Sequence, residues 1–305
     1  FFREGQPTLN FIITRSAHLS YKYNEVLSYW ALKKYPEFRG LTGNEETDCA
    51  YLKAKLVDDL FARLLEELED KGLLTESDGA KVVMLDKYDM PPCIILRSDG
   101  ATLYATRDLA AAIYRKKTYD FVKSLYVVAY QQTLHFKQFF KVLELMGKTW
   151  VKDCVHVNFG MVSMEEGTLS TRHGNVVYLE DVLNASIEKT LDIIKEKSPD
   201  LEDKEAAARA VGVGAVVWGI LYNSRIKDTS FSWSKMLNFD GETGPYAQYT
   251  HARCCSVLRK ANGYDKANVD CSLLSGEAET ALIKAIAAFP ETVKAAAEKY
   301  EPYLI

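Results

Sequence analysis

The stretch GTLSTRHGN, Gly167–Asn175, crowds hydroxyl and guanidinium donors between two glycines. Ser170, Thr171 and Arg172 are the side-chain types that stabilise charge on a transferring phosphoryl group. Gly167 and Gly174 let such a loop fold onto a ligand and retract. The stretch holds no GxxxxGK[ST] pattern and no carboxylate pair, so hydrolysis at a protein-held metal is not favoured. The plain alternative is a hairpin turn. A second candidate is DGATLYATRDLAAA, Asp99–Ala112, where Tyr104 and Asp108 stand four apart. If a helix starts near Tyr104 they share one face, and a carboxylate beside an aromatic ring suits a planar cation such as a guanidinium. Against it stands a first-turn Asp complementing a helix dipole beside a Tyr in the core wall. In QQTLHF, Gln131–Phe136, Gln132 and His135 are three apart at a helix start, where side chains and backbone N–H groups converge on anions and polar ligands. Helix capping is the ordinary reading there. Finally, Ser230–Cys255 interleaves aromatics with cations: Tyr246, Tyr249, His251 and Arg253 fall on one helix behind GETGP. Unpaired RNA bases stack on such groups, and so do neighbouring domains.

The elements that must position these residues follow from the hydrophobic pattern. LVDDLFARLLEELEDKGLL, within Asp48–Leu74, reads as an amphipathic helix closed by Gly72. KVVML and CIILR are β-branched-rich runs joined through the proline-marked DKYDMPP. Then Asp108–Lys117 reads as helix, Ser124–Tyr130 as buried strand, His135–Gly147 as helix and Val155–Val162 as strand. Apolar strands alternating with helices of this length predict a parallel α/β sheet of nucleotide-binding type, whose ligands lie at the carboxyl ends of the strands. Beyond about Leu183 the pattern is helical throughout with no strand expected, and the charged, proline-marked Lys197–Glu205 reads as a boundary. The division expected is a divergent segment over 1–45, an α/β domain over 46–197 and an all-α domain over 198–305.

With 305 residues, 48% apolar and 26% charged, the chain is long enough for two domains with real cores. A net charge of −4 argues against a nucleic-acid coat protein but leaves room for a specific RNA binder with a local basic stripe. Six cysteines without CxxC spacing point to buried thiols in a reducing cytoplasm rather than zinc or disulfides. Apolar runs such as Gly214–Leu221 fall far short of the roughly 20 residues of a membrane span, and no signal peptide is read, so no membrane partner is expected. Both termini read as cut.

Taken together, the four stretches match one family. Ser98–Phe121, Gln132–Gly147, Ser170–Leu183 and Phe231–Arg253 resemble bacterial arginyl-tRNA synthetase, a class I aminoacyl-tRNA synthetase, in order and spacing over roughly residues 70–305. The resemblance implies a Rossmann-type catalytic domain followed by a helical anticodon-binding bundle. It implies ATP-dependent activation of L-arginine to arginyl-adenylate, then transfer to the 3′ adenosine of arginine tRNA, in the cytoplasm and by a single chain. Tyr104 and Asp108 would hold the substrate guanidinium, with Gln132 nearby. Met161 and Val162 would lie near the adenine, with His135 also on the ATP side. Ser170, Thr171, Arg172, Gly174 and Asn175 would form the KMSKS-type loop at the phosphates. Tyr246, Tyr249 and Arg253 would face the tRNA. Mg2+ is expected as the ATP counter-ion, with no protein-caged metal.

The sequence departs from that family in four places. The HIGH motif, usually HxGH, is absent, and the only early histidine is His18. The loop has Thr168 where lysine usually stands and His173 where a basic residue is common. Each missing cation removes on the order of a few kcal/mol of transition-state stabilisation unless replaced. Residues 1–45 do not resemble the family segment, and the chain stops before the last helices of the bundle. The alternative reading is therefore an impaired synthetase fragment or paralogue that binds arginine or tRNA without charging it. His18 and His156 are the only unassigned histidines that could replace the missing phosphate contacts.

Overall fold

The computed structural model describes residues 60–164, 178–238, 241–263 and 268–305. The chain divides into two compact units between Asn158 and Phe159. Residues 1–45 and the 167–175 loop lie outside the described residues.

In the first unit a helix over 60–70 (α1) turns Leu64 and Leu68, one helical turn apart, into the core. Gly72, at φ 63°, ends it: the Leu73 N–H donates to the Leu68 carbonyl at 3.0 Å and the Gly72 N–H to Glu69 at 2.8 Å. That pair of bonds needs a left-handed residue, which glycine supplies without strain. The helical pattern therefore stops short of Leu74, which opens strand β1 (Leu74–Ser77). Asp78 and Gly79, both at positive φ, make the two-residue turn into β2 (Ala80–Val83). β2 pairs antiparallel with β1 and with β3 (Cys93–Leu96), so the two runs flanking the prolines are strands of a meander.

Next come helix α2 (Tyr104–Tyr119), strand β4 (Ser124–Ala129), helix α3 (Thr133–Leu145) and strand β5 (Cys154–Phe159). β4 and β5 are hydrogen-bonded neighbours. The strand–helix alternation is as the sequence pattern predicts. The core of this unit joins Leu64, Leu68, Ile95, Leu109, Phe136, Phe139, Val142 and Leu143. Tyr126 meets Phe136 and Phe139 with ring centroids 5.3 and 5.5 Å apart, the tilted and edge contacts aromatic rings prefer.

In the second unit β6 (Val162–Met164) runs parallel to β7 (Thr229–Phe231). Two expectations are corrected here. The run Val155–Val162 is not one strand but two, broken at Gly160 and Met161. A strand does occur beyond Leu183, namely β7. The reason is a close backbone crossing: a side chain at Gly160 would stand 2.2 Å from the Lys227 carbonyl, so only glycine lets the two segments meet.

Helices α4 (Leu179–Lys197) and α5 (Lys204–Leu221) pack together, followed by α6 (Trp233–Met236), α7 (Gly244–Lys260) and α8 (Glu277–Lys299). Ala208, Gly212 and Ala215 are buried on α5 at helical spacing. The Ser186 hydroxyl of α4 donates to the Gly212 carbonyl of α5 at 2.8 Å, a side-chain bond across the helix pair. The turn at Lys197–Glu205 thus joins two packed helices. Among the described residues no helix is long and apolar enough to cross a membrane.

Two predictions follow from this packing. A Cβ at Gly212 would lie 2.9 Å from the Ser186 backbone. Gly212→Val is therefore expected to lower stability by about 1–3 kcal/mol in chemical denaturation, since neither backbone can move aside freely. The second concerns the thiols. Burial pushes Cys93 and Cys154 up to about 12, so at pH 8 only about one thiol in ten thousand is the reactive thiolate. Native protein treated with iodoacetamide and mapped by mass spectrometry should carry the label on the exposed Cys254 and Cys271 first. Cys93 and Cys154 should label only after unfolding.

Candidate functional site

α2 and α3 each follow a strand of the first unit, and each is fastened near its start. The buried Thr106 hydroxyl donates to the Ile95 carbonyl, and fully buried Leu109 seats the next turn. Asp108, between them, is left with its carboxylate partly open. α3 follows β4 through a short 3-10 turn, Tyr130–Gln132, and is anchored by Phe136 and Phe139. The Gln138 amide adds a bond to the Pro91 carbonyl at 2.8 Å, tying α3 to the loop before β3.

These anchors bring together two side chains that are 27 residues apart. His135 Nε2 lies 2.7 Å from Asp108 Oδ2. An ionised carboxylate only accepts, so the imidazole N–H is the donor. The His135 ring lies edge-on to Phe136 at 5.2 Å and nearly parallel to Phe139 at 6.2 Å, which limits its rotation. The His135 side chain is 20% exposed and that of Asp108 37%. Asp108 Oδ1 has no partner among the described residues. Tyr104, the first residue of α2, is 78% exposed one turn before Asp108. Gln132 is exposed at the N-cap of α3, one turn before His135. An anionic carboxylate, an open phenol and an open amide at the starts of two touching helices can hold a planar, multidentate cation.

The Asp108–His135 pair is the feature that sequence reasoning missed. Each residue sits in the first turns of its helix, which is the signal available, but nothing in the spacing says that α2 and α3 touch. His156 is committed elsewhere: its Nε2 donates to the Val128 carbonyl at 3.0 Å and its ring stacks on Phe136 at 4.1 Å. It braces the β4–β5 ladder beneath α3.

In the second unit the Met161 N–H donates to Asp228 Oδ1 at 2.6 Å, and the Met161 carbonyl accepts from Thr229 N–H at 2.8 Å. Val162 pairs with Thr229 in the β6–β7 ladder. A ligand at this edge therefore meets the 38%-exposed Met161 side chain and the second lone pair of its carbonyl. Asp228, which the sequence reading did not single out, fixes this corner.

α7 is capped by Thr243, whose hydroxyl accepts from the Tyr246 N–H at 3.2 Å, with Pro245 in the first turn. Tyr246 and Tyr249 are about half exposed, and Arg253 donates to the Tyr249 hydroxyl at 3.4 Å. Three, then four, residues apart, they form one open face of phenol and guanidinium. Ser170, Thr171, Arg172, Gly174 and Asn175, and His18, lie outside the described residues.

Residues 49–233 match the family model for tRNA synthetases class I (R), catalytic domain, and residues 247–305 match the DALR anticodon binding domain. The chain is 52% identical over 293 residues to a protein of Halothermothrix orenii named arginine–tRNA ligase, covering 94% of this chain and 51% of the relative. It is 56% identical over 247 residues to a protein of the same name from Clostridioides difficile, covering 81% of this chain and 44% of that one. The chain thus spans about half the length of the curated relatives it matches. Among solved structures, Thermus thermophilus arginyl-tRNA synthetase superposes with a TM-score of 0.73 at 23% identity, covering 94% of this chain and 58% of that one, a likeness of fold.

Proposed function

The chain belongs to the class I arginyl-tRNA synthetases, and on that premise we propose that it charges arginine tRNA. L-arginine is activated by ATP to arginyl-adenylate and then passed to the 3′-terminal adenosine of the tRNA. The observation that carries this reading is the Asp108 carboxylate, half-open at the junction of α2 and α3 beside the exposed Tyr104.

In this reading Asp108 takes the substrate guanidinium, Tyr104 borders it, and Gln132 offers its amide to the polar part of the amino acid. A substrate carboxylate oxygen attacks the α-phosphorus of ATP and pyrophosphate leaves. Ser170, Thr171 and Arg172 donate to the phosphates as that charge develops, and Gly174 and Asn175 shape the loop that carries them. Met161 and Val162 border the adenine. The adenosine hydroxyl of the tRNA then attacks the arginyl carbonyl and AMP departs. Tyr246, Tyr249 and Arg253 supply stacking faces for unpaired tRNA bases.

Among the described residues no three His, Cys, Asp or Glu side chains converge as a metal cage. The Mg2+ of this proposal is the counter-ion of the nucleotide, and no step is routed through it. In this proposal the residues matching the catalytic-domain family, 49–233, form the catalytic part and those matching the anticodon-binding family, 247–305, the anticodon-binding part, working as a single chain in the cytoplasm where charged tRNA is consumed. The matched relatives are named as ligases, which gives no support to a fragment that binds without charging.

The test is aminoacylation with labelled arginine, ATP, Mg2+ and arginine tRNA present throughout. Charging above the protein-free blank is expected. No charging with arginine still bound would overturn the ligase reading in favour of the non-charging one. Asp108→Ala is expected to weaken arginine binding by about 10- to 100-fold, the worth of a hydrogen bond to a charged group, with the melting temperature nearly unchanged. Unchanged arginine affinity in isothermal titration would sink the guanidinium site.

A further inference from the structure

We propose that His135 is a positioning residue for Asp108: its imidazole holds one carboxylate oxygen so that the other is presented, in a fixed orientation, to the substrate guanidinium. This rests on the reading of Asp108 as the guanidinium site.

Asp108 stands on an exposed helix face with a side chain 37% open to solvent. Left alone, such a carboxylate samples several rotamers, and a ligand must select one of them. Here Oδ2 is engaged at 2.7 Å by Nε2 of a ring that is itself held against Phe136 and Phe139. The ring comes from a different helix, so the bond also ties the start of α3 to the start of α2. The more exposed partner is thus fixed by the more buried one, and among the described residues Oδ1 is left over. The direction of support is aromatic core to imidazole, imidazole to carboxylate, carboxylate to substrate, the arrangement that keeps a binding group in its productive geometry.

The decisive comparison is His135→Gln against His135→Met in the full 305-residue chain. The two replacements have similar length and helix propensity, but only glutamine can donate to Asp108. Arginine and ATP affinities are read by isothermal titration, with thermal unfolding followed alongside. His135→Met is expected to bind arginine about 3- to 10-fold more weakly, as when the order of one side chain is lost, with ATP affinity unchanged. His135→Gln is expected to stay close to the parent.

A double-mutant cycle completes the test: on an Asp108→Ala background the His135→Met change should cost no further arginine affinity. Equal loss in the Gln and Met variants, or a loss that persists without Asp108, would overturn the proposal and leave His135 a packing residue. A fall in ATP affinity instead would return His135 to the nucleotide. If Asp108→Ala itself leaves arginine binding intact, the guanidinium site fails whatever His135 does. If Asp108→Ala weakens binding and His135→Met does not, only the positioning role fails.

Discussion

Phe136 and Phe139, three residues apart on α3, are buried against Tyr126, and the candidate site of the first unit depends on that contact. An amphipathic helix has one freedom that matters here, rotation about its own axis. Successive residues are about 100° apart, so burying a given pair sets the direction of every other side chain. With Phe136 and Phe139 inside, His135 comes to the edge of the core, half-buried, and Gln132 stays in solvent. Leu109 and Thr106 do the same for α2 and leave Asp108 pointing outward. The polar contact between Asp108 and His135 is thus a consequence of two apolar decisions. Burying a phenylalanine side chain is worth roughly 2–3 kcal/mol, more than a part-exposed hydrogen bond can contribute. The core places the site, and the site does not hold the core together.

The second unit is organised by close backbone approach rather than by large side chains. Gly160 admits the Lys227 carbonyl, Gly212 admits the backbone at Ser186, and Gly244 sits where a Cβ would press on the Gly214 carbonyl. These glycines let short strands cross and helices pack with few bulky residues between them. Glu301, near the chain's last residue, joins the same unit by accepting from the Arg225 N–H at 3.1 Å. On this frame α7 leaves Tyr246, Tyr249 and Arg253 outward. Large apolar rings with a guanidinium beside them are poorly satisfied by water alone and well suited to a flat, polar, anionic partner.

The lack of an HxGH pattern and of lysine in the loop bears on what the described residues can supply. His156 is a candidate replacement on sequence grounds, and its Nε2–H is engaged by the Val128 carbonyl. Asp108, Tyr104 and Gln132, by contrast, remain open. Selectivity for a guanidinium needs only a fixed carboxylate and its neighbours, whereas phosphate chemistry needs several cations brought to one point.

Element type and order were legible in the sequence because they depend on neighbours a few residues apart. The periodicity of α2, α3, α4 and α5, the β-branched runs of β2, β3 and β4, and the stop at Gly72 are all short-range signals, and the structure carries them. So is the spacing of Tyr104 and Asp108, which one helical turn must place on a common face. What the sequence could not specify is which elements touch. The pairing of His135 with Asp108, the division of Val155–Val162 into two strands, the existence of β7 and the fixing of Met161 by Asp228 each join segments that are 27 to 67 residues apart. Long-range pairs of that kind are selected by the packing of whole faces, where small residues allow contact and large ones set the distance. Only the folded chain brings those faces together, and with them the orientation of the carboxylate on which the proposed recognition of arginine depends.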